Sequence, residues 1–211
     1  MSVDMAKVQS VISQALKRAG LESISVISSL GIPVASVGIG LDLGVQARTI
    51  FAVFDRAASM LGLGQAEHVC IDGNRRSFIV KPIRRGDSIV VWFVAVAPTF
   101  GGRGVFEIED LPDATRVGPG GVEADDHVPD GHEEAELVSA VMALWSAVPM
   151  LMSQVNLGDV NGVYLDGNDG RVVVRPLEAD RWLVAFPPKE RRVGRVDVEL
   201  DRAAAVLITI L

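Results

Sequence analysis

One segment of this chain occurs twice. "CIDGNRRSFIVKPI", Cys70 to Ile83, returns as "YLDGNDGRVVVRPL", Tyr164 to Leu177. A single shift of 94 positions carries Asp72, Gly73 and Asn74 onto Asp166, Gly167 and Asn168, and Val80 and Pro82 onto Val174 and Pro176. The same shift holds upstream without a gap, taking Ser59, Leu63 and Gly64 onto Ser153, Leu157 and Gly158, and Val69 onto Val163. A duplicated unit constrains the fold before any other reading does. The chain has 211 residues, so it divides into two units of about 100, each large enough to bury a core.

Each copy begins with a helical pattern. In the first, Ala47, Ile50, Phe51, Phe54, Ala57, Ala58 and Leu61 recur at three- and four-residue spacing, and Gly62 supplies the stop, which predicts a helix over 46–61. In the second, the run 134–155 is apolar on nearly every side, so more than one of its faces needs cover. Asp130 with Glu133 three residues later resembles a capping box, and Pro149 should kink or interrupt the helix. Three strand-like segments follow each helix, at 67–72, 77–82 and 88–96, and again at 162–166, 171–176 and 182–186. "DGN" between β-branched runs predicts tight turns in which Gly and Asn accept positive φ, and makes Asp72 and Asp166 turn formers rather than a catalytic carboxylate pair.

The copies differ at their ends. An amphipathic helix over 4–19, stopped by Gly20, and a hairpin with "SLGIP" at its turn precede the first unit. Before the second lies a Gly-, Pro- and acid-rich stretch, 99–132, which reads as a linker with one short ordered piece at 105–109. A C-terminal helix closes the chain, its start blurred because Val196, Val198 and Leu200 alternate like a strand. The expected domains are therefore 1–98, linker 99–132 and a truncated second unit, 133–211.

Composition narrows the function. A net charge of −7 argues against sequence-independent binding to nucleic acid, and the arginine pairs 75/76, 84/85 and 191/192 read as solvated tips. The longest apolar runs, 89–98 and 203–211, the latter broken only by Thr209, fall short of the roughly 20 residues a membrane span needs, and the N-terminus lacks signal-peptide character. A cytoplasmic protein is expected. The single cysteine, Cys70, sits in an apolar segment and reads as core.

Chemistry-bearing motifs are sparse. "GIGLDLG", 38–44, follows a strand and precedes a helix, but its glycines miss the dinucleotide spacing and Asp55 falls within the helix. No phosphate loop or nucleophile elbow occurs. His127 and His132 lie in an acidic Pro/Gly segment that presents no preformed metal geometry, and His68 reads as a structural or surface residue. Trp92, Trp145 and Trp182 read as core or inter-copy packing. No catalytic residue, metal or cofactor is expected.

The order helix, hairpin, helix, three-stranded meander, helix, together with "GIPVAS" at Gly31 to Ser36 and "VGRVDVELDRAA" at Val193 to Ala204, resembles the Roadblock/dynein light-chain domain and the similar gliding-motility regulators of prokaryotes. The resemblance covers Met5 to about Ala97 as a nearly complete unit, and about Glu133 to Leu211 as one lacking its first helix and hairpin. It implies an α/β fold, an α+β sandwich of profilin/longin-like type with an antiparallel sheet and helices on both faces. Family members pair through the middle helix and the strand after it, which are the elements duplicated here. An intrachain pseudo-dimer is thus implied, with Phe51, Phe54, Ala58, Leu144, Trp145 and Val148 at the inter-copy interface. The trimmed second copy would leave the two ends of the sheet unlike. The implied function is a non-catalytic protein-binding module whose partner is a small Ras-like GTPase or a multiprotein assembly. The alternative is a small-molecule or nucleotide sensor, or an enzyme, on a similar sheet, with its ligand near "GIGLDLG".

Overall fold

The structure is a computed structural model and describes residues 4–38, 44–99, 114–123, 128–177, 180–187 and 195–210. Helix α1 (Met5–Ala19) starts where the Asp4 carboxylate accepts from the Lys7 N–H at 3.1 Å, and stops at Gly20, left-handed with φ 71°. Its buried stripe is Val8, Ile12 and Ala15, three or four residues apart as the sequence pattern requires. The hairpin β1 (Ser23–Ser28) and β2 (Pro33–Gly38) turns through Gly31, whose φ is 85° and whose N–H donates to the Ser28 carbonyl. Helix α2 (Gly44–Met60) and strands β3 (Ala66–Gly73), β4 (Arg76–Arg85) and β5 (Ser88–Pro98) complete the first copy.

The second copy holds more than expected. Two short strands, β6 (Thr115–Gly118) and β7 (Gly121–Val122), form a hairpin inside the stretch read as linker. Strands of four and two residues are too short to show a period-2 pattern, and their "GPGG" turn reads as loop. The ordered piece expected at 105–109 lies outside the described residues. Helix α3 (Glu134–Val155), strands β8 (Val160–Gly167), β9 (Arg171–Pro176) and β10 (Trp182–Ala185), and helix α4 (Arg195–Ile210) follow.

All ten strands belong to one antiparallel sheet in the order β2-β1-β5-β4-β3-β8-β9-β10-β6-β7. Outward from the β3/β8 contact, both directions give the same succession: three meander strands, then a hairpin. The far end of the sheet is thus closed by β6–β7 in the place that β1–β2 occupies at the near end, which corrects the expectation of an unmatched end.

Alternation along the strands feeds two cores. Val69, Ile71, Val163 and Leu165 join α2 and α3 on one face, while Cys70, Tyr164, Ile79 and Val173 join α1 and α4 on the other. Burial of Phe51 and Phe54, both essentially inaccessible, contributes about 1.5–3 kcal/mol each. By length and composition alone Glu134–Leu151 could cross a membrane, but Leu137, Ala140, Val141, Leu144, Ala147, Val148 and Leu151 are buried in the first core. One local expectation fails: the N-cap of α3 is Glu133, without a side-chain cap bond. Of the two effects expected of Pro149, interruption does not occur, since the helix continues through it. In place of a capping box, the Glu134 carboxylate accepts from the Val122 N–H at 2.9 Å, tying the helix start to β7.

Candidate functional site

Strands β3 and β8 carry the contact between the copies. Their register pairs Val69 with Leu165, Cys70 with Tyr164, and Ile71 with Val163. Tyr164 is the position that Cys70 becomes under the shift of 94, so the ladder is centred where one residue meets its own equivalent. A contact surface that meets itself in this way is the geometry of an isologous interface. Cys70 is buried there, as a core reading requires.

Flanking the ladder, each "DGN" turn bonds the other copy. Asn74 N–H donates to the Asp159 carbonyl at 2.8 Å and Arg75 N–H to the Leu157 carbonyl at 3.0 Å. In return Asn168 N–H donates to Gln65 and Asp169 N–H to Leu63, each at 3.0 Å. The Asn74 side chain adds a pair of bonds with Asp159, donating to its carboxylate at 2.9 Å and accepting from its N–H at 3.1 Å. These contacts explain the glycines. A Cβ on Gly73 would lie 2.2 Å from the Leu157 carbonyl oxygen, and one on Gly167 would lie 2.0 Å from that of Leu63. Among the described residues, neither these glycines nor Asn74 and Asn168 take positive φ; Gly64 and Gly158 do, both at 74°. The turns therefore demand glycine because another backbone passes close by, and not for the conformation the sequence suggested.

A polar strip lines the α1/α4 face of this seam. Asp72 accepts from the Ser77 hydroxyl at 2.5 Å and from Asn161 of the other copy at 3.4 Å. At the position equivalent to Asp72, Asp166 accepts from Arg171 through both of its oxygens, and His68 Nδ1 of the first copy lies 3.6 Å away. Burial alone would push the Asp166 carboxyl up, but the hydrogen bonds from His68 and Arg171, aided by the Arg171 charge, outweigh it and hold the group below its usual range. Burial likewise pushes the Tyr164 hydroxyl up, against the pull of Arg175, which donates to it at 3.4 Å. Both aspartates are hydrogen-bonded members of the seam, and His68 is buried.

Of the residues expected at the interface, Phe51, Phe54, Ala58, Leu144 and Val148 are buried in the core under α2 and α3, and Trp145 is partly buried against it. The two helices pack on each other. The aromatic contacts run within each copy: Phe51 meets Trp92 edge-on at 4.4 Å, and Trp145 meets Trp182 at 6.1 Å. These pairs are equivalent, since Trp92 lies opposite Pro82 and Trp182 opposite Pro176.

Among the arginine pairs read as solvated tips, Arg75 and Arg85 are exposed and Arg76 and Arg84 half-buried, and all four are bonded. Arg75 donates to Asn156 at 3.1 Å, Arg76 pairs with Glu22 at 2.7 Å, Arg84 donates to the Ala66 carbonyl at 3.3 Å, and Arg85 to the Ile208 carbonyl at 3.1 Å. Arg191 and Arg192 lie outside the described residues, as do His127 and 39–43 of "GIGLDLG". Asp55 accepts from the Ala66 N–H at 2.9 Å, joining α2 to β3. His132 stacks on Phe186 with ring centroids 4.5 Å apart. No three His, Cys, Asp or Glu side chains converge among the described residues.

The outward faces of α2 and α3 differ where the repeat makes them equivalent. On α2, Arg48, Ala52 and Arg56 form an exposed stripe; the shift carries these positions to Met142, Ser146 and Met150 on α3, which are exposed too. The hairpin tips also diverge, with Leu30 and Ile32 exposed at one end, and Pro119 and Gly120 at the other.

No protein-family model matches the chain. No curated protein matches it either. Among solved structures it is similar to Myxococcus xanthus MglB, at 17% identity over 45% of this chain and 78% of that one, with a TM-score of 0.38. It is also similar to the sensor domain of the V. cholerae histidine kinase DctB, at 12% identity over 88% of this chain and 79% of that one, TM-score 0.32. A domain of a sensory box/GGDEF family protein from Vibrio parahaemolyticus aligns at 12% identity over 89% of this chain and 79% of that one, TM-score 0.29.

Proposed function

We propose that the chain is a non-catalytic protein-recognition module, two Roadblock-like copies joined as an intrachain pseudo-dimer, that serves as regulator or scaffold for a small Ras-like GTPase or a multiprotein assembly. One observation carries the reading. Among the residues that the two copies share, Leu63/Leu157, Gly64/Gly158 and the "DGN" turns lie where the copies bond each other. Duplication here has kept a self-complementary contact, which is what pairing requires and catalysis does not. With that contact satisfied inside one chain, the outer faces of α2 and α3 remain for something else. The GTPase comes from the sequence resemblance, and it is tested directly. The chain is used as bait in lysate of its source organism, in parallel with GDP and with a non-hydrolysable GTP analogue. Enrichment of a small GTPase in one nucleotide state is expected; recovery of none under either nucleotide counts against the GTPase role.

A further inference from the structure

We infer that the first copy carries a docking site for an acidic, amphipathic helix of a partner protein, at a hollow between the β1–β2 tip and the outer face of α2. The hollow, about 510 Å3, is lined by Leu30, Arg48, Thr49, Ala52, Val53 and Arg56. Leu30 is 70% exposed and Ile32 beside it 61%, the two most exposed large apolar side chains among the described residues. Leu30 borders the hollow, and Ile32 extends the apolar surface of the tip beside it.

Charge selects the occupant. Arg48 and Arg56 stand at either end of the exposed stripe, with Ala52 between, and neither forms a hydrogen bond or ion pair among the described residues, whereas Arg75, Arg76, Arg84 and Arg85 are all bonded. In a chain of net charge −7, two unneutralised guanidiniums flanking an apolar hollow favour carboxylates there. Eight residues of helix separate them by about 12 Å, at roughly 1.5 Å per residue. A partner helix with Glu, Leu and Glu at successive four-residue spacing presents carboxylates at that separation and an apolar side chain between them. The equivalent stripe, Met142, Ser146 and Met150, has no charge to offer, so the site belongs to one half only and the partner binds once, in one orientation.

This inference rests on the reading of the chain as a protein-recognition module and specifies its partner's chemistry. The test uses the full chain and two labelled helical peptides, one with the Glu-x3-Leu-x3-Glu stripe and one with lysines replacing the glutamates, read by fluorescence anisotropy. The acidic peptide should bind and the lysine peptide should not. Binding should weaken at least ten-fold in Arg48→Glu/Arg56→Glu, weaken also in Leu30→Ala, and stay unchanged in Met142→Ala/Met150→Ala. Arg48→Gln/Arg56→Gln, which removes charge without reversing it, guards against misfolding of the first variant. No binding of the acidic peptide, equal binding of both peptides, or indifference to either arginine double variant overturns the site. A chain that captures a GTPase equally well with Arg48→Glu/Arg56→Glu keeps the GTPase role and loses this site. Peptide binding through the arginines without GTPase capture does the reverse.

Discussion

At the scale of residues, the seam turns on glycines whose hydrogens face carbonyl oxygens of the other copy. Gly167→Ala should destabilise the protein by about 3 kcal/mol, since backbone on both sides must shift to admit the methyl group. Gly20→Ala is the control: nothing lies within 4 Å of its added Cβ, and only the left-handed φ costs, about 1 kcal/mol. Urea unfolding of the two variants orders them, and equal losses would mean that the close approach at Leu63 is not made. Asp166 gives a second prediction. Its folded value is depressed, so its contribution to stability is complete above the unfolded value of about 3.9 and is lost as pH falls through the folded one. Asp166→Asn should cost on the order of 3 kcal/mol at pH 7, because it leaves Arg171 buried beside a neutral group. The variant should also lose less stability than the wild type between pH 4 and pH 2; parallel acid limbs would place that charge dependence elsewhere. Sequence reasoning saw these residues and assigned them the wrong physics. "DGN" signals a turn from local propensity, whereas the constraint that acts on Gly73 and Gly167 comes from chain 94 residues away, which no local pattern carries.

Among the elements, those with long periodic patterns were legible. α1, α3 and β9 match their expected spans within a residue, because 15 or more residues of helical spacing, or a β-branched run bounded by turns, leave few alternatives. The hairpin β6–β7 was not legible, since six residues of strand around Pro119 and Gly120 look like linker, and only pairing with β10 makes them sheet. Helix α3 shows the converse. Its Pro149 signals a break, yet packing against the sheet and α2 carries the helix through it, with the proline on the exposed side. Pro149→Ala should therefore restore a backbone hydrogen bond without disturbing any buried contact, stabilising the protein by about 1–3 kcal/mol and raising its melting temperature. A lowered melting temperature would show that the ring itself is packed.

On the scale of the whole molecule, the repeat divided the chain into two units and the resemblance implied that they meet through the strand after the middle helix; the structure has one large antiparallel sheet, with the duplicated "DGN" turns at the β3/β8 contact. The asymmetry between the copies was also visible in the sequence, though its meaning was not. Arg48 and Arg56 against Met142 and Met150 are ordinary surface substitutions until α2 and α3 are seen side by side with their outer faces open. One experiment tests the central claim, that equivalent strands of a single chain pair through their equivalent residues. Tyr164→Cys places a thiol opposite Cys70, the chain's only cysteine, and a short bifunctional alkylating reagent that reacts once with each thiolate is then applied and the product read by intact mass. The predicted product is one chain of about 22.5 kDa plus a single doubly attached linker. Two chains joined together, or two thiols modified separately, would contradict pairing within the chain at this register.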